Sequence, residues 1–180
     1  MSAVLAALRP ACLPILTPAA APVVQELDPS WIGQMMALQG IAGDNQIIPR
    51  DRSWLENLFA QGSRVFGIAD DDGVLVAQAI LRLNVAAPQS LSRAFDDTAL
   101  ACISCVLVNP NQRGRGLMGH LLEACLDAAR RDGQQGMIAR VRVGNDASLN
   151  NFLRRDFKIV AIGPSPEDPA RIVHSLHLAL

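Results

Sequence analysis

The sequence predicts an α/β domain, and three observations lead there. Short apolar and β-branched runs alternate along the chain with stretches whose apolar residues recur at helical spacing. Two of the β-type runs, Arg64 to Ala69 and Val74 to Asn84, are joined by Asp70-Asp71-Asp72-Gly73, a hairpin signal. The chain has 180 residues, 50% of them hydrophobic and 18% charged, which is one domain's length and enough to bury a core.

In order, Met1 to Ala21 is rich in Ala, Leu and Pro. Pro10, Pro14 and Pro18 interrupt any helix there, so it is expected to be a loosely ordered extension ahead of a domain over 22–180. Val23 to Leu27 suits a short strand, and Asp28-Pro29-Ser30 supplies helix-start chemistry for Trp31 to Gln39, which should stop near Gly40 to Gly43. A second helix is expected over Asp51 to Ala60, with Trp54, Leu55, Leu58 and Phe59 at helical spacing and Gly62 beyond it. The hairpin follows, its three aspartates reading as a solvated turn and not a metal site. Asn84 to Thr98 is a long loop, a length often associated with function. Next come a strand over Ala99 to Val108, a helix from Leu117 to Asp132, a strand over Met137 to Val143 and a helix over Asp146 to Arg155. Strands over Phe157 to Ile162 and Ile172 to Leu180 close the chain.

Composition narrows the partners. A net charge of −1 gives no general attraction to nucleic acid or to an anionic membrane. No stretch reaches the ~20 apolar residues of a membrane span. The sixteen basic residues include a single lysine, Lys158, so arginine supplies almost all the positive charge. Cys12, Cys102, Cys105 and Cys125 lie in apolar segments, unlike a secreted disulfide framework, and a cytoplasmic setting is expected. Cys102 and Cys105 form a C-x-x-C, but on a strand that odd spacing should point them to opposite faces as separate structural thiols.

The most informative stretch is Val106 to Gly119. An apolar run ends at Val108, a proline loop follows, and Gly114 and Gly116 flank Arg115 before the helical pattern Leu117, Leu121, Leu122, Cys125. Glycines let backbone N–H groups approach an anion, and the first N–H groups of a helix have no internal partner. With the helix dipole they make a phosphate site. Gly114, Gly116 and Gly119 satisfy G-x-G-x-x-G, yet five residues separate the strand from the first glycine. No acid ends the next strand to hold a ribose. The Walker pattern fails because no Gly-Lys-Ser/Thr follows.

The segment Val108-Asn109-Pro110-Asn111-Gln112-Arg113-Gly114-Arg115-Gly116 resembles the acetyl-CoA loop of the GNAT superfamily of N-acetyltransferases. Asn145 to Phe157 is similar to that family's second motif, in the right order and at the right separation. The resemblance covers about Val23 to Leu180. It implies a mixed, mostly antiparallel central sheet flanked by helices, with strands splayed apart where CoA binds. It also implies that Val106, Leu107 and Val108 pair with the pantetheine arm through their backbone. Arg113, Gly114, Arg115, Gly116, Leu117 and Met118 would hold the pyrophosphate through N–H groups. Asn145 would sit near the cofactor arm, or else act as a turn or helix-cap residue, and Phe152 would face the cofactor.

The departures from the family pattern concern chemistry. Met118 replaces a small residue, and Asp156 replaces the glycine before Phe157. Phe152 stands where many relatives place a tyrosine that protonates the leaving thiolate, and the chain contains no tyrosine. Ser148 or a water is the remaining proton donor. No acid lies on Ala99 to Val108, where relatives often carry the base, so Asp96 and Asp97 just before it are the carboxylate candidates, with Asp97 preferred. His120 would face solvent or cofactor, and His174 and His177 should lie on opposite faces of the last strand. Arg140 and Arg142 share one strand face, either solvated or turned toward an acidic acceptor.

The function implied by the resemblance is acetyl transfer from acetyl-CoA, as co-substrate and without a metal, to a primary amine of a small molecule or peptide. The amine would attack directly in a ternary complex. The alternative is an acyl-CoA-binding regulatory or interaction module with little turnover. The loops Gly40 to Pro49 and Asn84 to Thr98 would choose the acceptor, and the expected state is a monomer or homodimer.

Overall fold

The computed structural model describes residues 21–42, 48–86 and 99–180. The extension over residues 1–20, and much of both loops expected to choose the acceptor, lie outside the described residues, as do Asp96 and Asp97. The strands are β1 (Gln25–Leu27), β2 (Arg64–Ala69), β3 (Leu75–Val85), β4 (Leu100–Val108), β5 (Gly136–Arg142), β6 (Lys158–Pro164) and β7 (Ile172–Ala179). The helices are α1 (Ile32–Ala42), α2 (Arg52–Ala60), α3 (Leu117–Arg131) and α4 (Asp146–Leu153). None of the described helices is long and apolar enough to cross a membrane.

The strands form one sheet in the order β1-β2-β3-β4-β5-β7-β6. Every neighbouring pair is antiparallel except β4 and β5. The mixed, mostly antiparallel sheet flanked by helices is thus the fold observed. One face packs Leu121, Leu122, Cys125 and Leu126 of α3 and Phe152 of α4 against Ala101, Ile103, Met137 and Ala139. The other packs Ile32, Met35 and Leu38 of α1 and Leu55 and Leu58 of α2 against Val65, Ile80 and Leu107.

Local chemistry explains most element boundaries. Asp51 caps α2 by accepting from the Trp54 N–H at 2.8 Å. Asp70 Oδ1 accepts from the N–H groups of Asp72 and Val74, closing the hairpin turn as a solvated loop. The helix α1 ends at Ala42, inside the Gly40 to Gly43 stretch expected to stop it, with Gly40 in its last turn. A helical glycine costs only about 1 kcal/mol. Tertiary contacts offset that: Gln39 is buried, and its amide accepts from the Arg50 N–H at 2.7 Å and donates to the Arg50 carbonyl at 3.3 Å.

The feature that positions the site is an irregularity in β4. Gln78 and Ile80 of β3 lie opposite Leu107 and Ser104, so β4 carries one extra residue across that interval. Cys105 takes it up at φ 48°, in the left-handed region. This is a β-bulge, which bends a strand and ends regular pairing. Parallel pairing of β4 with β5 indeed stops at Ile103 and Ala139, although β5 stays paired with β7 as far as Arg142 and Val173. The two strands part at that point, leaving the Ser104–Val108 edge of β4 without a neighbouring strand among the described residues. The bulge also reverses the side-chain alternation. Cys102 and Cys105 therefore open on one pocket together and not, as the spacing alone suggests, on opposite faces.

Candidate active site

Two cavities flank the splay, one on each face of the sheet. On the α3 and α4 face a groove of about 500 Å³ is bounded by β4, the loop after it and both helices. Asn109 starts the loop by accepting from the Asn111 N–H at 3.0 Å, and a short 3-10 turn over Pro110–Gln112 follows. Gly114 and Gly116 then take φ 77° and 76°, and Gly116 is the N-cap of α3. A Cβ on either would meet open space, so glycine is needed for the backbone angle and not for room. Arg113 N–H reaches back to the Pro110 carbonyl at 3.4 Å, and Gly119 N–H to the Gly116 carbonyl at 2.8 Å. Between them, the N–H groups of Gly114, Arg115, Gly116, Leu117 and Met118 have no acceptor among the described residues. Successive donors at a helix start, with the macrodipole behind them, form an anion cradle.

Gly119, the third glycine, serves packing. A Cβ there would lie 2.9 Å from Arg155 Nη2, whose guanidinium donates to the carbonyls of Gly119 at 3.1 Å and Asn151 at 2.9 Å and pairs with Glu123 at 2.8 Å. Arg155 thereby ties α4 to α3 beside the groove.

Of the residues the sequence singles out, Val106, Val108, Arg113, Gly114, Gly116, Leu117, Met118, Asn145 and Ser148 line this groove. Leu107 points its side chain into the core under α1 and α2, which leaves only its backbone for the groove side. The Arg115 side chain bonds to Gln112 and is not part of the wall. Phe152 is not on the wall either: it is 2% exposed and packs edge-to-face on Phe157 with ring centroids 5.1 Å apart. Asn145 lines the groove and caps α4 by accepting from the Ser148 N–H at 3.3 Å. The structure adds Ala147, Asn150, Asn151 and Arg154. Their i, i+3, i+4, i+7 spacing along α4 is the signal that marks them as one face.

On the α1 and α2 face a smaller pocket of about 130 Å³ opens against the bulge itself, walled by Cys102 to Cys105. Five arginines surround it: Arg50, Arg82, Arg140, Arg142 and Arg171. Glu167, on the loop between β6 and β7, is the one carboxylate among its described lining residues and pairs with Arg50. The Arg50 guanidinium also lies 4.6 Å over the Trp54 ring. Arg171 pairs with Asp168 at 2.9 Å. Ser104 Oγ is buried without a partner. Burial pushes the Cys105 thiol up, with the nearby Arg50 charge opposing the shift, so it is held as a thiol. Sequence reasoning found Arg140 and Arg142 through their shared strand face. It missed Arg50, Arg82 and Glu167, which come from separate elements and become neighbours only in the fold.

The histidines lie elsewhere. His120 is exposed on α3, and none of the three lines either cavity. In register His174 faces Val141 and His177 faces Ile138, which places them on opposite faces of β7 as the spacing requires.

The family model described as the acetyltransferase (GNAT) family matches residues 30–157. Among curated proteins none matches the chain in sequence. Solved structures do match. The ribosomal-protein-alanine N-acetyltransferase of Brucella melitensis superimposes with a TM-score of 0.68 at 19% identity, over 88% of this chain and 99% of that one. The ribosomal-protein-S18-alanine N-acetyltransferase of Escherichia coli does so at 0.68 and 16%, over 88% and 94%. A chain of the NatC complex, crystallised with Gag peptide and CoA, gives 0.68 and 16%, over 88% and 98%. At these identities the likeness is one of fold.

Proposed function

Since this chain belongs to the GNAT acetyltransferase family, we propose that it binds acetyl-CoA in the groove and transfers the acetyl group directly to a primary amine held in the arginine-lined pocket. The observation that carries this is the cradle of five unpartnered N–H groups from Gly114 to Met118, lying beside the unpaired edge of β4. The cradle takes the pyrophosphate. The open β4 edge offers backbone groups to the pantetheine amides, as an added strand would. The thioester then lies at the splay, where the two cavities approach one another across the sheet.

In the transfer, the amine lone pair attacks the thioester carbonyl carbon. The new C–N bond forms, the C–S bond breaks, and CoA leaves as thiolate. Backbone N–H groups on the free β4 edge polarise the carbonyl. The leaving thiol has a pKa near ~8.5, so departure near neutral pH does not demand a strong acid. Ser148, on the groove wall, or a water returns the proton. Glu167, the described carboxylate on the pocket wall, takes the proton lost by the amine through water. Cys105 lies at the splay, but its raised pKa leaves little thiolate to accept an acetyl group, which favours direct attack over a covalent intermediate.

Amine-dependent release of the CoA thiol from acetyl-CoA, measured over a panel of amines, tests this function. Release with a defined acetylated product is expected, and Cys105→Ala should retain it. Tight CoA binding with no amine-dependent release would overturn the transferase reading in favour of a CoA-binding module.

A further inference from the structure

We infer that the acceptor is a small amine carrying oxyanions, an acidic α-amino acid in the first instance, whose anionic groups are held by Arg82 and Arg140. This rests on the acyl-transfer reading above and narrows its acceptor. Five guanidinium groups face a pocket of about 130 Å³ with one described carboxylate on its wall. Their existing partners account for only some of that charge. Arg50 is matched by Glu167 and Arg171 by Asp168. Arg82 and Arg140 are half-buried, and among the described residues neither forms an ion pair.

Arg82 makes only a weak contact, from Nη2 to Cys102 Sγ at 3.4 Å, and its Nε is buried with no acceptor. Burying guanidinium N–H groups without acceptors is unfavourable, and a bound oxyanion is the natural completion. Their register puts them together. Arg82 lies opposite Cys102, which lies opposite Ile138, and Arg140 is two residues on along the same face, at the point where β4 and β5 part. The unpartnered Ser104 hydroxyl lies on the wall between them.

The size of the pocket and its charge argue against other acceptors. Its volume is well below the roughly 300–1,000 Å³ of sites for drug-sized ligands, which favours a metabolite over a long peptide. A polyamine would bring positive charge against Arg82 and Arg140, which form no ion pair among the described residues. The same field assists the chemistry, because an ammonium beside like charges loses its proton more readily. This lessens the demand on a general base in a site whose wall offers Glu167 alone among described carboxylates.

The experiment measures thiol release by the full-length protein at fixed ionic strength. The acceptors are L-aspartate, L-glutamate, their neutral counterparts L-asparagine and L-glutamine, an aminophosphonate, a neutral peptide and spermidine. Calorimetry of the same acceptors with the CoA-loaded protein runs in parallel. An acidic acceptor should exceed its amide counterpart in kcat/KM by about 10-fold or more. Arg82→Gln and Arg140→Gln should each raise its KM by about 10- to 100-fold, with the KM for acetyl-CoA and the melting temperature unchanged. Relative activity of the carboxylate and phosphonate arms identifies which oxyanion is preferred. Best turnover with spermidine or the neutral peptide overturns this inference and leaves the transferase reading standing, as does an unchanged KM in both variants. Binding of acidic amines that Arg140→Gln abolishes, without thiol release from any amine, supports the pocket assignment and overturns acyl transfer. Neither binding nor release with any acidic amine overturns the inference.

Discussion

Replacing Gly116 by valine separates the role of the loop in binding from its role in the fold. Gly116 sits at φ 76° as the N-cap of α3, with open space where a Cβ would go. Valine therefore meets no clash, only the left-handed backbone, which costs an L-residue about 1–2 kcal/mol. If the backbone holds, stability falls by that amount. If it relaxes to negative φ, the N–H groups of Leu117 and Met118 swing off the cradle. Each hydrogen bond to a charged phosphate is worth about 1.5–3 kcal/mol, so losing one weakens CoA binding by about 10- to 100-fold. Gly133 provides the control: it has φ 68°, lies just past the far end of α3, and also faces open space. Gly133→Val should lose similar stability in urea while CoA affinity, read by calorimetry, stays at the wild-type value. A folded Gly116→Val protein that binds CoA normally would refute the cradle assignment. Equal loss of affinity in Gly133→Val would show that strain, and not donor geometry, governs binding.

Two further outcomes follow from burial. Phe152→Tyr does not restore the family's phenol, because the ring is in the core against Phe157. The new hydroxyl should cost about 1–3 kcal/mol of stability in denaturant titration with no gain in thiol release; a gain would show that the ring edge reaches the leaving sulfur. Burial also lowers the pKa of His177 below 6.5. The unfolded chain then binds the proton first, so stability at this site is intact above about pH 6.5 and falls as pH drops toward the folded value. His177→Gln should flatten that part of the pH–stability curve in urea melts between pH 7 and 5, and an unchanged slope would rule the site out.

How far the sequence could be read depended on whether a property was local. Glycine at positive φ, Asp28 at a helix start and the Asp70 turn are set by neighbours within a few residues, and these were legible. The order of strands and helices was legible for the same reason. The contact between Gln39 and Arg50 beside the end of α1 was not, because its partners lie 11 residues apart. Phe152 shows the limit of motif reasoning: its position in the motif is aligned, but nothing local says that its ring turns inward to Phe157. The arginine-lined pocket was the least legible part. Arg50, Arg82, Arg140 and Glu167 come from four elements, and only Arg140 and Arg142 announced themselves by sharing a strand face.

The bulge at Cys105 explains why these separate parts meet. A regular β4 would continue pairing with β5 until Val106 lay opposite Arg142, bury that part of its edge and keep Cys105 on the opposite face from Cys102. One extra residue ends the pairing, frees the edge for a ligand and turns Cys105 toward the arginines. It does so on a cysteine held at φ 48°, a conformation that costs a non-glycine residue about 1–2 kcal/mol. The packing of Cys105 against the α1 and α2 core, beside Ile80 and Leu107, offsets that strain and gives the bend a fixed place. Because cradle and arginine pocket lie on opposite faces, the proposed acyl donor and acceptor would not compete for space. They meet only where the sheet is open. This geometry suits direct transfer in a ternary complex better than a double displacement, in which one pocket serves both ligands in turn.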